Sequence, residues 1–384
     1  MKIGVVVDND FDSDIRVKKE VSLLRKNGYE VFVLAFGDET KKDLKEERIF
    51  LSKKLRNILF VLMNRLPIYE MLWSYWVKDF INKYDIDIIH THDLYMSKCC
   101  RKGIEKSDKN CKLVLDLHEN FPHAINSYSW AIKKSNKFIV KPKRWFEKEN
   151  EYLNYSDKII VLSEEFKTEL IEKYHFKSDR FSVYSNTIDF DLFDSFEIDT
   201  LHDKKDKVEL FYFGVVAKRR GIFEALKVFK ELNDQNLSFK IVGPIDKADR
   251  KEFFDFIEPI KNQIEYISWI PVQELLTYLY YTDICVAPFI KNPQHDSGVA
   301  NKIYQYMYGK KAIIASNCTP QKQLIESANC GIVYQNFDEF KEAIKELSYN
   351  EDKRIELGKN GSIYLNKNFR NDDSIVSLYQ SLEK

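Results

Sequence analysis

Residues 295–316, His-Asp-Ser-Gly-Val-Ala-Asn-Lys-Ile-Tyr-Gln-Tyr-Met-Tyr-Gly-Lys-Lys-Ala-Ile-Ile-Ala-Ser, read as loop, helix, stop and strand. Ser297 stands where an N-cap is expected, and Val299, Ile303, Tyr306 and Met307 then recur on one apolar helical face. Gly298, Asn301, Lys302 and Gln305 fall on a different side of that helix. Gly309 suits the left-handed residue that closes a helix, and the run from Ala312 to Ser316 is short and β-rich. A helix entered through a glycine turn presents unpaired N–H groups and a positive dipole end, which suits a phosphate. An ordinary unit of a doubly wound sheet has the same pattern, so the stretch places the chain among α/β folds and marks a candidate anion site.

The whole chain sets the frame around it. Its 384 residues suit two domains. Lys plus Arg and Asp plus Glu are equal at 60 each, so no basic field points to nucleic acid. The six cysteines show no CxxC spacing, and the opening apolar run Ile3–Val7 is too short for a signal peptide. Reduced thiols in a cytoplasmic protein are expected. No run approaches the roughly 20 apolar residues of a membrane span.

In chain order, a strand over 1–7 leads into the acidic loop Asp8–Asp14, a helix over Arg16–Asn27 and a strand over Val31–Ala35. The opening is Rossmann-like, but acids stand where a glycine-rich phosphate loop would be. Residues 48–80 mix basic and bulky apolar residues, and Lys133–Lys148 does so again. These fit either a packed helical hairpin or a basic amphipathic patch on an anionic membrane. Basic residues cluster from Lys41 to Arg65. Two strands end in His92-Asp93 and His118-Glu119, where ligands gather in α/β sheets. No tight ligand spacing points to a metal, and Asp85-Ile86-Asp87 is three residues of weak evidence. Ser163 is expected to cap the next helix, and the stretch 186–207 reads as a hinge.

Beyond it, a strand runs to Phe213. Gly214 and Gly221 then bound a loop carrying Lys218, Arg219 and Arg220 into a helix N-terminus, a combination that favours a diphosphate. Gly243 follows the next strand. The βαβ order repeats in both halves, so two doubly wound α/β domains facing each other are expected. They are 1–186 and 187–365, with a C-terminal helix at 366–384 packing back on the first.

Several segments, in order, resemble one family. Asp14-x-Arg16-Val17, His90-Thr91-His92-Asp93, Asp116-Leu117-His118-Glu119, Ser185-Asn186-Thr187-Ile188-Asp189, Gly214-x6-Gly221 with Arg220, and Ser297-x2-Ala300-Asn301-Lys302 through Gly309 resemble the motifs of the GT-B glycosyltransferases of family four. The resemblance implies two Rossmann-like domains across a cleft. It also implies retaining transfer of a sugar from a nucleotide-diphosphate donor, with no metal or other cofactor. Arg220 would then hold the diphosphate, with Gly214, Lys218 and Gly243 on the donor side. Ser297, Gly298, Val299 and Asn301 would approach the donor sugar and phosphate, and Gln305 the ribose. His118, with Glu119, would stand at the reacting sugar. Asp14, Arg16, His92 and Asp93 would lie on the acceptor side. The acceptor would be a glycan or lipid-linked molecule, made into bacterial surface polysaccharide at the inner face of the cell membrane.

This chain departs from the family pattern at Val215, where the family has an arginine, and at Ser297 and Gln305, where it has glutamates. Those departures also fit a non-catalytic GT-B partner subunit. A nucleotide-sugar epimerase or hydrolase on the same fold is a further alternative.

Overall fold

Continuous apolar runs become the central strands, because a parallel sheet is covered on both faces. The computed structural model describes residues 1–38, 43, 45–201 and 206–383. Lys41 and Lys42 of the first basic cluster, and 202–205 of the expected hinge, lie outside them. By contacts the chain divides into two compact units: Met1–Ser185 with Asp373 onward, and Asn186–Asp372.

The first unit holds β1 (Lys2–Asp10), β2 (Glu30–Phe36), β3 (Glu46–Ile49), β4 (Ile88–His92), β5 (Lys112–Asp116), β6 (Lys158–Val161) and β7 (Phe181–Val183). Their order is β3-β2-β1-β4-β5-β6-β7, and every pairing is parallel. Val5 pairs with Val33 on one side and His90 on the other. Strand β1 runs on to Asp10, past the expected end at Val7, and shortens the acidic loop. Asp14 accepts from Val17 N at 3.2 Å and so caps the helix Ile15–Lys26. Ser163 caps the helix Glu164–Tyr174 through Phe166 N at 3.2 Å.

Residues 48–80 form a helical hairpin in which the two helices differ. Ile68–Tyr84 buries Trp73, Val77, Phe80 and Ile81, whereas Lys53–Leu62 buries no residue. Arg56 is engaged inward: it donates to the Asp8 carbonyl at 3.0 Å and lies 4.2 Å from the Phe36 ring centroid. The Asp85-Ile86-Asp87 carboxylates pair with Lys2 and Lys109, a structural use.

The second unit holds β8 (Val208–Phe213), β9 (Leu237–Val242), β10 (Ile264–Ile267), β11 (Ile284–Ala287), β12 (Ala312–Ser316) and β13 (Gly331–Tyr334). Their order is β10-β9-β8-β11-β12-β13, again parallel throughout. Between β11 and β12 lies the helix Asn301–Tyr308. It starts later than expected. Ala300 is its N-cap without a side-chain bond, and the Ser297 hydroxyl donates instead to the Gln294 carbonyl at 2.8 Å. Lys302 and Gln305 are buried along with Ile303, Tyr304, Tyr306 and Met307, so the helix has no solvent-facing polar side of the expected kind. The helix Glu351–Phe369 covers it, with Phe369 5.3 Å from the Tyr304 ring. Gly309 has φ −70, and Lys310 takes the left-handed place at φ 56. A glycine suits 309 because a Cβ would come 2.7 Å from Leu279.

The C-terminal segment leaves the second unit after Asp372, later than the expected 366, because Glu351–Phe369 stays packed there. The final helix, Ser374–Leu382, buries Ile375, Val376, Leu378 and Tyr379 against the first unit. The Tyr379 hydroxyl meets His90 Nδ1 at 2.7 Å inside the core. Removing it leaves a buried ring nitrogen unsatisfied, so Tyr379→Phe should destabilise the first unit by about 1–3 kcal/mol. Four of the five tryptophans lie in that unit, so tryptophan fluorescence in a urea titration reads the loss.

Candidate active site

In the second unit the ends of β8 and β9 are locked together by backbone. Gly214 N donates to the Val242 carbonyl at 2.8 Å, and Gly243 has φ 142. A Cβ on Gly243 would lie 2.1 Å from the Gly214 oxygen, so only glycine allows this approach. The Tyr212 hydroxyl donates to the Val215 carbonyl at 2.7 Å and fixes the loop from below. Residues Lys218–Arg220 make a 3-10 turn closed by Gly221 at φ 75, where a Cβ would meet the Pro288 oxygen at 1.7 Å. That close approach seats the turn on the end of β11. The Arg220 guanidinium carbon then lies 5.4 Å from the Phe289 ring centroid. Lys218 goes elsewhere: its amine pairs with Glu252 at 2.5 Å on the exposed side. The helix Ile222–Leu232 starts at Gly221 with no side-chain cap, so its first N–H groups face the same loop.

The opening stretch is held by its own polar residues. Asn301 donates to the carbonyls of Asn186 and Thr187 at 3.0 and 3.4 Å, which ties the helix start to the first residues of the unit. Gln305 is buried at 8% exposure. Gly298 and Val299 are half-buried in the turn before the helix. The structure therefore gathers Gly214, Gly243 and Arg220 at the strand ends. It gives Ser297 and Asn301 structural bonds and turns Lys218 toward Glu252.

In the first unit the strand ends carry a buried network. Arg16 donates through Nε and Nη2 to both oxygens of Asp116 at 2.9 to 3.1 Å, and its Nε lies 3.0 Å from Glu20. His92 Nδ1 meets His118 Nε2 at 2.8 Å, and Asp116 lies 3.5 Å from His118 Nε2. Burial opposes charge on His118, but the Asp116 carboxylate outweighs it and raises the ring to about 9. Burial, joined by the charge on His118, lowers His92 against the pull of Asp116. The charged His118 ring therefore donates its Nε2–H to a neutral His92. Burial would raise Asp116, but Arg16 and His118 hold it well below the carboxylate range. Burial and the Asp116 charge raise Glu20 to about 8 against the pull of Arg16. Asp93, at φ 70 just past β4, is raised to about 7 by burial.

Glu20, His90, His92 and Asp116 offer ligand atoms all within 4.8 Å of one another, a donor set that suits a divalent ion. The Arg16 guanidinium already engages both carboxylates and supplies positive charge there. Asp14 acts as a helix cap, and Glu119 accepts from the Tyr128 hydroxyl at 2.6 Å. Sequence reasoning missed Glu20, Asp116 and Lys302 as site residues. Arg16 and Glu20 are spaced i, i+4 on one helix, a pairing signal that could have found the first.

The network makes a pH prediction. A ring raised from 6.5 to about 9 contributes stability that is complete below 6.5 and is lost as pH rises through about 9. Asp116→Asn should lower the His118 value by about 1–3 units, read by ring-proton or ring-nitrogen NMR titration. An unmoved value would contradict the charge pairing.

The geometry can be set beside known proteins. The family model described as Glycosyltransferase Family 4 matches residues 16–192, and the one described as Glycosyl transferases group 1 matches residues 194–363. An uncharacterised glycosyltransferase of Methanocaldococcus jannaschii is 23% identical over 292 residues, covering 76% of this chain and 73% of that protein. Sucrose-phosphate synthase from Thermosynechococcus elongatus has a similar structure, with TM-score 0.75 at 14% identity over 100% of this chain and 98% of its own. The Anabaena HepE protein in complex with UDP gives 0.66 at 13% identity, over 100% and 98%. Identities this low carry the fold alone. The first matched stretch holds six of the seven strands of one parallel sheet and the second holds all six of the other, and the chain belongs to the GT-B glycosyltransferases of the family-four type.

Proposed function

We propose that the chain moves a hexosyl unit, with retained anomeric configuration and without a metal ion, from a nucleoside-diphosphate donor to a hydroxyl of a glycan or lipid-linked acceptor in bacterial surface polysaccharide synthesis. The observation that carries this reading is the glycine-locked strand end of the second unit, where the Arg220 turn leads into an uncapped helix N-terminus. A diphosphate leaving group gains negative charge as the glycosidic bond breaks. Fixed cations and N–H groups aimed at that charge stabilise the transition state with no reorganisation. The solved relative in complex with UDP supports a nucleotide at this kind of fold.

The sugar becomes oxocarbenium-like as the leaving group departs. In a same-face attack the leaving phosphate takes the acceptor proton. His118 suits a donor role in that chemistry, because its ring stays charged up to about pH 9 and cannot act as a base at neutral pH. Gln305 stands where a carboxylate is expected, so its bond to a ribose hydroxyl lacks charge assistance. The same neutral residue favours the reading as a non-catalytic subunit. Gln305→Glu discriminates: donor turnover that rises above the parent's argues for an enzyme.

Membrane attachment belongs to the proposal. No helix of the described residues is long and apolar enough to cross a membrane. Phe50 and Phe138 are each 76% exposed, and Leu55, Ile58 and Ile132 are exposed near them in sequence. Lys53 and Lys54 accompany the first set, and Lys134 and Lys137 the second. Arg65 donates to the Phe138 carbonyl and joins the two segments into one surface. Mixed apolar and lysine side chains suit an anionic bilayer surface.

Two outcomes are expected. In a thermal-shift panel of UDP, GDP, CDP, ADP and dTDP, at least one should stabilise the protein, by about 2.7 kcal/mol when present at 100 times its Kd. Arg220→Ala should weaken that nucleotide about 10- to 100-fold, and stabilisation by none of them contradicts the reading. Co-sedimentation with phosphatidylglycerol vesicles should be lost on changing Lys53, Lys54, Lys134 and Lys137 to Gln, and should weaken with salt. Binding to neutral vesicles alone would count against the patch.

A further inference from the structure

The helix Asn301–Tyr308 carries a cation that the fold buries and leaves without an acceptor. Lys302 is 8% exposed, and among the described residues its amine has no hydrogen-bond partner. The amine lies 3.5 Å from the centroid of the Tyr212 ring and 5.0 Å from that of Phe289. Arg220 shares the Phe289 ring. The titratable and charged groups that act on the amine are Tyr212 on β8, Cys285 on β11 and Arg220 on the glycine-bounded turn. None is a carboxylate. Tyr306, on the same helix, is committed already, its hydroxyl accepting from Phe213 N at 2.9 Å.

A lysine that only filled this space would be a poor choice. A methionine fills the same stem as far as Cε and brings no charge to bury. Two aromatic faces recover part of the desolvation cost, but three N–H donors still lack acceptors. Gly214 decides what the amine faces. A Cβ at 214 would stand 3.0 Å from the amine, so glycine keeps a side chain from pressing on it where β8 ends. The amine therefore sits beside the loop that presents Arg220, with unpaired donors, at the end of a parallel sheet where ligands bind.

We propose that the Lys302 amine binds the diphosphate of the donor beside Arg220, supplying the second positive charge that Val215 does not bring to the loop. The inference rests on the donor reading above. Burial, with Arg220 adding to it, pushes the amine below the ordinary lysine value and so toward its neutral form. An incoming diphosphate favours the ammonium, so whatever fraction of the amine is neutral takes a proton from solvent on binding, and the ammonium pairs with the phosphate oxygens.

The test is isothermal titration calorimetry of the nucleoside diphosphate that binds best, at about pH 8, in two buffers of different ionisation enthalpy. The parent protein should take up a fraction of a proton per nucleotide. Lys302→Met should weaken binding at least about tenfold and abolish that uptake, while its ligand-free Tm stays level or rises. Lys302→Gln serves if the Met variant fails to fold. A variant that binds the diphosphate as the parent does, with the same uptake, overturns the proposal. Inorganic pyrophosphate separates the two readings. If no nucleotide binds but pyrophosphate does, and Lys302→Met loses it, the anion site stands and the donor reading falls. If neither binds, both fall.

Discussion

Charge buried at the ends of parallel strands must be neutralised, and the two units of this chain meet that demand differently. In the first unit the demand is met internally. Asp116 pairs with both the Arg16 guanidinium and the charged His118 ring, while Glu20, raised to about 8 beside them, keeps its proton at neutral pH. The set closes on itself, so it can hold one half-buried ring in a charged state across the neutral range. In the second unit, among the described residues, the groups acting on the Lys302 amine include no carboxylate. A cation arranged in that way is incomplete until an anion arrives. The same rule about unpaired buried charge thus yields a rigid donor group in one unit and an anion site in the other.

Glycine makes the second arrangement sterically feasible. Gly214 and Gly243 approach closely enough that either Cβ would collide with backbone or amine, and Gly221 lets a cationic turn press against Pro288. The polar stretch beside them has few direct ligand groups of its own. Asn301 is spent tying its helix to Asn186, and Ser297 on the Gln294 carbonyl. Their contribution is to place the helix start, and with it the amine of Lys302. Stability and function pull apart here: the variant that removes the buried cation should make the empty protein no less stable.

Much of this was legible in the residues. The strand ending at Phe213 and the run 312–316 lie where the apolar pattern places them, because buried parallel strands leave little ambiguity. The strand-end pairs His92-Asp93 and His118-Glu119 fall at a common place for the reason that α/β sheets always present their carboxyl ends to ligands. Periodicity failed at the helix Asn301–Tyr308. A period of 3.6 assigns Lys302 and Gln305 to a polar side, but both are buried, and Lys302 lies against Tyr212 and Phe289, residues far from it in sequence. The partners of Arg16 were hidden for the same reason: Asp116 is 100 residues away and reaches it only through the sheet order. Lys218 looked like a phosphate ligand by its place in the loop, and the helix Arg250–Ile257 claims it through Glu252.

Whether the second unit holds a donor diphosphate at its strand ends is read by hydrogen–deuterium exchange with the nucleoside diphosphate that binds best. Exchange should slow in the segments 214–222 and 297–305, whose amides line the glycine turn and the start of the buried helix. Protection confined to other segments, or no protection at saturating nucleotide, would contradict a diphosphate held there.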